Sequence, residues 1–280
     1  MTTIAPNREG ARVWTVRFSR IDRIMHALLF TSFLALSLTG LPLLFADMPW
    51  APPMSKMLGG YAVTGLLHRF FAVVMLSTFA AHVIRVGYRA TRRGGRRVLW
   101  GPDSLVPQPR DLSQMIEHFR WFAGRGPRPR FDRYTYWEKF DYWAVFWGMG
   151  IIGFSGMMLW QPEFFSRFFP GWAFNVAHLV HGEEALLAMV FIFTVHFFNG
   201  NLRPEKFPMD DVMFTGRVTL DEIREERPAE YERILRERRL ERIEADPPSP
   251  ELRLFARIVG ALAIGAGLVM VALTVYALLS

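Results

Sequence analysis

Five long apolar runs constrain the fold of this 280-residue chain more than any other feature of its sequence. They lie at about residues 23–45, 61–88, 140–160, 172–199 and 254–279. Each run is long enough to cross a bilayer as an α-helix, which needs about 20 predominantly apolar residues. Two long polar stretches separate the runs, so the mean hydropathy of the chain is only +0.15. We therefore predict an all-α membrane protein.

The positions of the basic residues predict which side of the membrane each loop faces. The net charge is +7, and the loops after the first and third runs contain little that is basic beyond Lys56 and Arg167. By the positive-inside rule, the N-terminus and both long loops are cytoplasmic and the C-terminus is extracytoplasmic, in a bacterial inner (cytoplasmic) membrane. This distribution favours a lipid membrane as partner and argues against nucleic acid. The basic clusters are Arg8, Arg12, Arg17, Arg20, Arg23, Arg85, Arg89, Arg92, Arg93, Arg96, Arg97, Arg203 and Lys206.

The runs and loops together predict the organisation of the chain. The predicted parts are a cytoplasmic N-terminal tail at 1–22, a four-helix domain at 23–200, a charged cytoplasmic segment at 201–253 and an additional transmembrane helix at 254–280. The cytoplasmic loop 89–137 is rich in Arg, Gly and Pro, and we expect it to be irregular or to lie along the membrane surface, with one short helix at 113–122. Residues 219–246 are predicted to form one charge-dense helix with i,i+4 ion pairs.

Histidines recur at two depths within the apolar runs. The fifteen steps from His181 to His196 correspond to a rise of about 22 Å and return to within about 60° of one helix face. His68 and His82 repeat this arrangement in the second run, with a rise of about 21 Å. His26 lies near the cytoplasmic end of the first run. Ionisable groups at membrane depth are costly and usually functional, so two layers of ligands are predicted.

Haem b is the cofactor that this pattern fits best. Ligation of one haem iron by two imidazoles needs a histidine from each of two facing helices at equal depth. The absence of cysteine excludes disulfides, thiolate-held iron–sulfur clusters and covalently attached c-type haem within this chain. A zinc site would need three or four converging ligands, which His178, His181, Glu183 and Glu184 imitate only loosely. A membrane transporter or structural anchor that uses its histidines for protons or metal stays open as an alternative.

Several sequence motifs resemble those of a known family. They are RIMHALLF, HRF, RYTYWEKFDYW, GMMLWQPEFFSRFFP, HFFN and RPAEYERI, within about residues 15–240. In these motifs the chain resembles the cytochrome b (gamma) subunit of membrane-bound formate dehydrogenases and the related b-type cytochrome of nickel–iron hydrogenases. The resemblance implies a four-helix transmembrane dihaem core with two haem b groups, to which the fifth helix is an addition. It implies that His68 and His181 bind the outer haem iron and that His26 and His196 bind the inner one.

The resemblance also implies a substrate and a partner. A quinone, either menaquinone or ubiquinone, would bind near the inner haem, at a loop that here contains Thr135, Tyr136, Trp137 and Lys139. Thr135 stands where relatives have an asparagine. The implied partner is an extracytoplasmic iron–sulfur or multihaem cytochrome redox subunit, so that electrons pass between this partner and the membrane quinone pool. The donor or acceptor and the direction of flow stay open, and quinone reduction or quinol oxidation is the only reaction expected in this chain.

Other residues have roles that the sequence leaves open. His82 has no counterpart in the family pattern, and it could replace His26 as partner of His196, bind a further haem, or donate a hydrogen bond to a propionate or quinone. Glu183 and Glu184 could tune the outer haem or conduct protons, or they could satisfy a neighbouring helix. Arg20, Arg69 and Arg85 are candidate partners of the haem propionates. For Arg20 and Arg85, snorkelling to the membrane interface is the alternative.

Overall fold

The chain is described from a computed structural model that covers residues 12–92 and 95–280. Arg8, Arg93 and half of the predicted N-terminal tail lie outside these described residues. Within them, five helices are long and apolar enough to cross a membrane, which confirms the all-α membrane class and the fifth spanning helix. The spans are Arg20–Leu44, Tyr61–Thr91, Tyr136–Trp160, Gly171–Leu202 and Pro250–Leu279.

The first, second and fifth spans are single helices. In chain order, the first part of the fold consists of β1 (Trp14–Val16), α1 (Arg20–Leu44), α2 (Ala51–Met57), α3 (Tyr61–Thr91), α4 (Arg96–Leu99) and α5 (Pro109–Phe122). The fifth span is the last helix, α14 (Pro250–Leu279). We call the end of the bundle at which α1 and α14 begin and α3 ends the basic end. Helix α1 begins in a capping box between Ser19 and Asp22, which satisfies backbone N–H groups that the first turn leaves free.

The third and fourth spans are interrupted by π-helical turns. The third span contains α6 (Tyr136–Gly148), a π-helix at Met149–Gly153 and α7 (Phe154–Trp160). After the short helix α8 (Pro162–Phe165), the fourth span contains α9 (Gly171–Phe191) and π-helices at Ile192–His196 and Phe198–Leu202. A π-helical turn takes an extra residue, so it rotates the side chains that follow and is common at functional sites.

The fifth span packs against the first and fourth spans. Leu41, Met189, Phe193 and Met270 form a buried cluster that joins α1, the fourth span and α14. Gly267 of α14 lies against the Phe193 ring, and a Cβ atom at this glycine would collide with that ring. Close approach of helices at small residues is typical of membrane bundles. Helix α14 therefore acts in this bundle as a packing element.

A small cap, here called the basic cap, closes the basic end. It contains α10 (Val212–Thr215), β2 (Arg217–Thr219), α11 (Leu220–Glu226), α12 (Pro228–Arg236), α13 (Leu240–Ile243) and β3 (Glu244–Ala245). The three strands form one antiparallel sheet in the order β2–β1–β3, so the end of the predicted N-terminal tail is a strand. Val212, Val218, Ile223 and Ile234 form its core.

The prediction of one helix over residues 219–246 is wrong. Pro228 begins a new helix, because proline has no backbone N–H to continue the preceding one. Arg238 has a positive φ of 50°, a conformation that ends α12 before α13 begins. The helix predicted at 113–122 exists and is longer, because Pro109 occupies its first turn and Asp111 caps it.

Candidate functional site

The structure brings His68 of α3 and His181 of α9 together as a facing pair, here called the outer pair. Their ring centroids are 6.3 Å apart and their ring planes are inclined by 80°. An imidazole nitrogen binds a metal at about 2.0 Å, and its ring centre lies about 1.1 Å further away, so two axial imidazoles on one metal have centroids about 6 Å apart. The observed separation fits one metal ion between the two rings.

Hydrogen bonds orient both rings of the outer pair. His181 Nδ1 lies 3.0 Å from the carbonyl oxygen of Ile152, which belongs to the π-helix of the third span. His68 Nδ1 lies 3.0 Å from Thr39 Oγ1, and this hydroxyl donates its own proton to the Ala35 carbonyl at 2.7 Å. Because the Ile152 carbonyl and the Thr39 hydroxyl each accept a hydrogen bond here, Nδ1 of both histidines carries the proton. The Nε2 lone pair of each ring is thereby left available to a metal, as in other sites where a second contact fixes the tautomer.

Two glycines make room for the rings of the outer pair. A Cβ atom at Gly156 would lie 2.8 Å from His181 Cε1, and one at Gly40 would lie 3.2 Å from His68 Cε1. Small residues permit close approach of neighbouring helices. The structure gives Gly156 a specific neighbour, which is the ring of His181.

The inner pair consists of His26 of α1 and His196 of the fourth span. Each of these histidines lies six residues, about 9 Å, from the basic end of its span, so the two are at the same depth. The π-helix at Ile192–His196 ends at this histidine, and His196 Nδ1 lies 3.3 Å from Asp141 Oδ2. Histidines that bind metals commonly donate their second N–H to such a carboxylate. Sequence reasoning missed Asp141, although it lies inside the motif RYTYWEKFDYW.

His82 contacts the third span. Its Nε2 atom lies 2.9 Å from the hydroxyl of Tyr142, and its ring also meets the edge of Phe146 at a centroid distance of 6.3 Å. This hydrogen bond occupies the ring nitrogen that would otherwise face a metal. The sequence left open a hydrogen bond from His82 to a propionate or quinone, whereas the partner in the structure is Tyr142, which the sequence did not indicate.

A cleft of about 400 Å³ opens beside His26 at the basic end. Its walls come from α1, α10 and α14, and its charged residues are Arg20 and Arg23. The Nε atom of Arg23 is buried and has no hydrogen-bond partner among the described residues. Two arginines at one cleft suit a molecule that carries an anionic group.

The other arginines predicted to bind propionates have partners within the chain. Arg85 forms an ion pair with Asp22 at the start of α1. Arg69 is exposed, and its Nε atom donates to the carbonyl of Gly65 at 3.2 Å. Arg20 and Arg23 are thus the arginines that the structure places at a cavity beside a predicted ligand.

The predicted quinone residues form one cluster with α5. Lys139 is only 1% exposed, and its ammonium group lies 2.7 and 2.9 Å from the two carboxylate oxygens of Asp111. Thr135 caps α6 and donates its hydroxyl proton to Glu138 at 2.8 Å. The polar groups of Lys139 and Thr135 are therefore already bound within the chain.

The two aromatic members of this cluster contact His118. The hydroxyl of Tyr136 lies 3.1 Å from His118 Nδ1, and the Trp137 ring stacks on the imidazole at a centroid distance of 5.3 Å. Burial lowers the pKa of His118, and the nearby guanidinium of Arg128 lowers it further. Sequence reasoning gave His118 no ligand role and did not foresee this contact.

Buried ion pairs hold the basic cap to the bundle. Glu230 of α12 accepts from Arg17 at 2.7 Å and from Arg133 at 3.2 Å, and Arg227 donates to Glu138 at 2.9 Å. Burial alone would raise the pKa of Glu230, but the neighbouring arginines lower it below its ordinary value. These pairs link the strand that precedes α1 to the start of the third span.

The acidic residues near His181 form no second site. His178 and Glu183 are exposed, and Glu184 accepts from Trp147 Nε1 at 3.4 Å. Among residues 12–92 and 95–280, no group of three or more histidine, aspartate or glutamate side chains is placed to hold a metal ion.

The fold and the site together define the class of membrane protein to which the chain belongs. The chain is an all-α membrane protein whose spans hold a facing pair of histidines and a second pair of histidines on the side of the basic end.

Comparison with known proteins confirms the resemblance that the motifs predicted. The chain is 22% identical over 183 residues to the cytochrome b556(fdo) subunit of formate dehydrogenase from Escherichia coli, which covers 65% of this chain and 77% of that protein. It is 18% identical over 173 residues to the cytochrome b556(Fdn) subunit of the nitrate-inducible formate dehydrogenase of the same organism, covering 61% and 71% respectively. No family model matches the chain. The chain is thus a distant relative of formate dehydrogenase cytochrome b556 subunits.

Proposed function

We propose that this chain is a membrane-anchoring dihaem b-type cytochrome subunit. It transfers electrons between an extracytoplasmic redox partner and the membrane quinone pool. The observation that carries the proposal is the outer pair, because its ring separation and its two fixed Nδ1 atoms suit axial ligation of one iron. The names of its relatives, which are cytochrome b556 subunits, support a b-type haem.

In this proposal each pair of histidines holds one haem b. His68 and His181 bind the outer iron, and His26 and His196 bind the inner iron. The haems supply reversible one-electron oxidation and reduction, and the protein sets their positions and potentials. Asp141 orients His196 and increases its basicity. Arg20 and Arg23 would neutralise propionates in the cleft beside His26.

The proposed quinone site lies near the inner pair, at the start of the third span, which Thr135 caps and Tyr136 begins, rather than in a loop before it. Tyr136 and Trp137 provide a hydroxyl and an aromatic face there, while Lys139 and Thr135 hold these first turns through their bonds to Asp111 and Glu138. Quinone reduction consumes protons as well as electrons. The hydrogen bond between Tyr136 and His118 offers one route by which a proton reaches this site from the aqueous side.

The proposed topology follows from the basic end. Arginine-rich loops face the cytoplasm, so the N-terminus is cytoplasmic, the C-terminus is extracytoplasmic and the outer pair lies nearer the outside. The extracytoplasmic partner is an iron–sulfur or multihaem cytochrome subunit. The relatives belong to formate dehydrogenases, which supports association with a dehydrogenase complex.

A reduced-minus-oxidised spectrum of the purified full chain tests the proposal. We expect a b-type signal with two haems per chain by pyridine haemochrome assay, and oxidation of the reduced chain by an added quinone analogue. A chain that contains no haem after expression with an adequate haem supply would contradict the cytochrome proposal. That result would favour the alternative function, a membrane transporter or structural anchor that uses its histidines for protons or metal.

A further inference from the structure

Helix α5 carries an apolar face that the rest of the described chain, residues 12–92 and 95–280, leaves exposed. Leu112, Ile116 and Phe119 repeat at the spacing of one helix face, and their exposed fractions are 58%, 44% and 63%. Asp111 and His118 are buried on the side that contacts the third span. The remaining side presents exposed polar residues, which are Ser113, Glu117 and Arg120.

The contacts of α5 place it beside the membrane-spanning part of the third span. Asp111 binds Lys139, and the loop before α5 accepts a hydrogen bond from Trp143 Nε1 through the Leu105 carbonyl at 3.1 Å. The third span begins at Tyr136, so Lys139 and Trp143 lie about 5 and 10 Å along it. The beginning of α5 is therefore level with the first turns of a spanning helix.

The surface around α5 has the character of a membrane interface. The third span exposes Phe140 with a fraction of 63%, next to Lys139, which binds Asp111 of α5, and Trp100 at the end of α4 has an exposed fraction of 61%. The apolar face of α5 thus lies near other exposed aromatic side chains at the start of the third span. Aromatic residues at this level are typical of the boundary between acyl chains and headgroups.

Basic side chains occur on α5 and on the helix that precedes it. Helix α5 contains Arg110 and Arg120, and α4 contains Arg96 and Arg97. A helix with one apolar face and arginines beside it binds an anionic lipid surface through both burial of apolar area and electrostatic attraction. This charge complementarity selects an anionic bilayer over a protein as the occupant of the face.

We propose that α5 lies in the membrane–water interface at the basic end. Leu112, Ile116 and Phe119 enter the acyl-chain region, and the neighbouring arginines bind anionic phospholipid headgroups. Through the bonds of Asp111 to Lys139 and of His118 to Tyr136, this anchor fixes the start of the third span relative to the bilayer. The inference stands on α5 and the lipid-facing surface alone, independently of haem or quinone.

The cysteine-free sequence makes a direct test possible. Single variants Leu112→Cys, Ile116→Cys and Phe119→Cys of the full chain carry a nitroxide label, and Ser113→Cys, Glu117→Cys and Arg120→Cys are the matched controls on the polar face. The chain is placed in nanodiscs of phosphatidylglycerol and phosphatidylcholine. Electron paramagnetic resonance then compares the accessibility of each label to oxygen, which concentrates in lipid, with its accessibility to a water-soluble nickel chelate, relative to an argon baseline.

For each label we take the ratio of its accessibility to oxygen to its accessibility to the nickel chelate. We expect this ratio to be at least about threefold higher on the apolar face than on the polar face. Equal ratios on the two faces would overturn the proposal. Labels on the apolar face that are immobile and shielded from both reagents would also overturn it, because a protein partner or a second copy would then cover α5. Each variant must elute as the parent chain does, and the three positions report independently.

A second lipid composition tests the role of charge. In nanodiscs of phosphatidylcholine alone, the ratio on the apolar face should fall towards that on the polar face. A ratio that does not change would overturn the headgroup part of the proposal. The charge-neutral variant Arg96→Gln with Arg97→Gln should lower the ratio in anionic discs in the same direction.

Discussion

The outer and inner histidine pairs differ in how the protein holds them. In the outer pair, neutral groups fix both Nδ1 atoms, namely the Thr39 hydroxyl and the Ile152 carbonyl. In the inner pair, a carboxylate contacts His196, whose side chain is 41% exposed. The outer pair is therefore oriented by neutral groups, whereas the inner pair has a carboxylate beside it.

This difference suits the two positions in the proposed electron path. A ligand that is hydrogen-bonded to a carboxylate donates more electron density to its metal than one bonded to a carbonyl or a hydroxyl. The comparison teaches that both pairs join two spanning helices but differ in the groups that contact their second ring nitrogens.

Removing one ligand from each pair should produce the largest effect. We expect His181→Ala to lose the outer haem and His196→Ala to lose the inner haem, each about half of the absorbance, because bis-imidazole ligation needs both partners. Haem per chain and redox titration of the purified variants measure this. His178→Ala is the matched control, one helical turn from His181 and exposed. Retention of both haems in both ligand variants would refute the pairing.

A larger side chain beside a ring of the outer pair should affect the outer haem and leave the inner haem unchanged. In Gly156→Ala the new Cβ atom would lie 2.8 Å from His181 Cε1, so the His181 ring must move. We expect loss or a spectral shift of the outer haem alone, with a cost in stability of about 1–3 kcal/mol. Gly40→Ala, at 3.2 Å from His68, should act in the same way but less strongly. A Cβ at Gly150 meets nothing within 4 Å, so Gly150→Ala should leave both haems unchanged.

Neutralising the carboxylate should affect only the inner pair. Asp141→Asn removes a negative charge from beside His196, which favours the reduced iron and raises its midpoint potential. We expect a rise of up to about 60 mV, which corresponds to a tenfold change in a one-electron equilibrium. Potentiometric titration would resolve the two haems. Ser155→Ala, which removes a neutral neighbour of His181, is the control, and an equal shift of both potentials would contradict the comparison.

The smallest effect is expected at His82. Because its Nε2 atom is bound to Tyr142, both His82→Ala and Tyr142→Phe should retain two haems with unchanged potentials. The lost hydrogen bond should lower stability by about 1 kcal/mol. Spectra and thermal unfolding of the two variants check this. Disappearance of the inner haem in His82→Ala would instead make His82 a ligand.

Local properties of the sequence determined much of the fold. Hydropathy within each run is sufficient to locate the five spans, because a helix satisfies its own backbone and needs only apolar side chains in lipid. The rise per residue likewise determined that His68 and His82, or His181 and His196, lie at different depths. The sheet of the basic cap was missed because its strands have two or three residues and pair over about 200 positions of chain.

Only the tertiary structure decided which groups meet. The sequence fixes the depth of a histidine but not the rotation of its helix, and the π-helical turns change that rotation beyond what a regular helix predicts. Contacts of His196 with Asp141, of His82 with Tyr142 and of Lys139 with Asp111 join separate elements, so no local pattern could reveal them. Depth is a property of one helix, whereas the partner of a side chain depends on the packing of several.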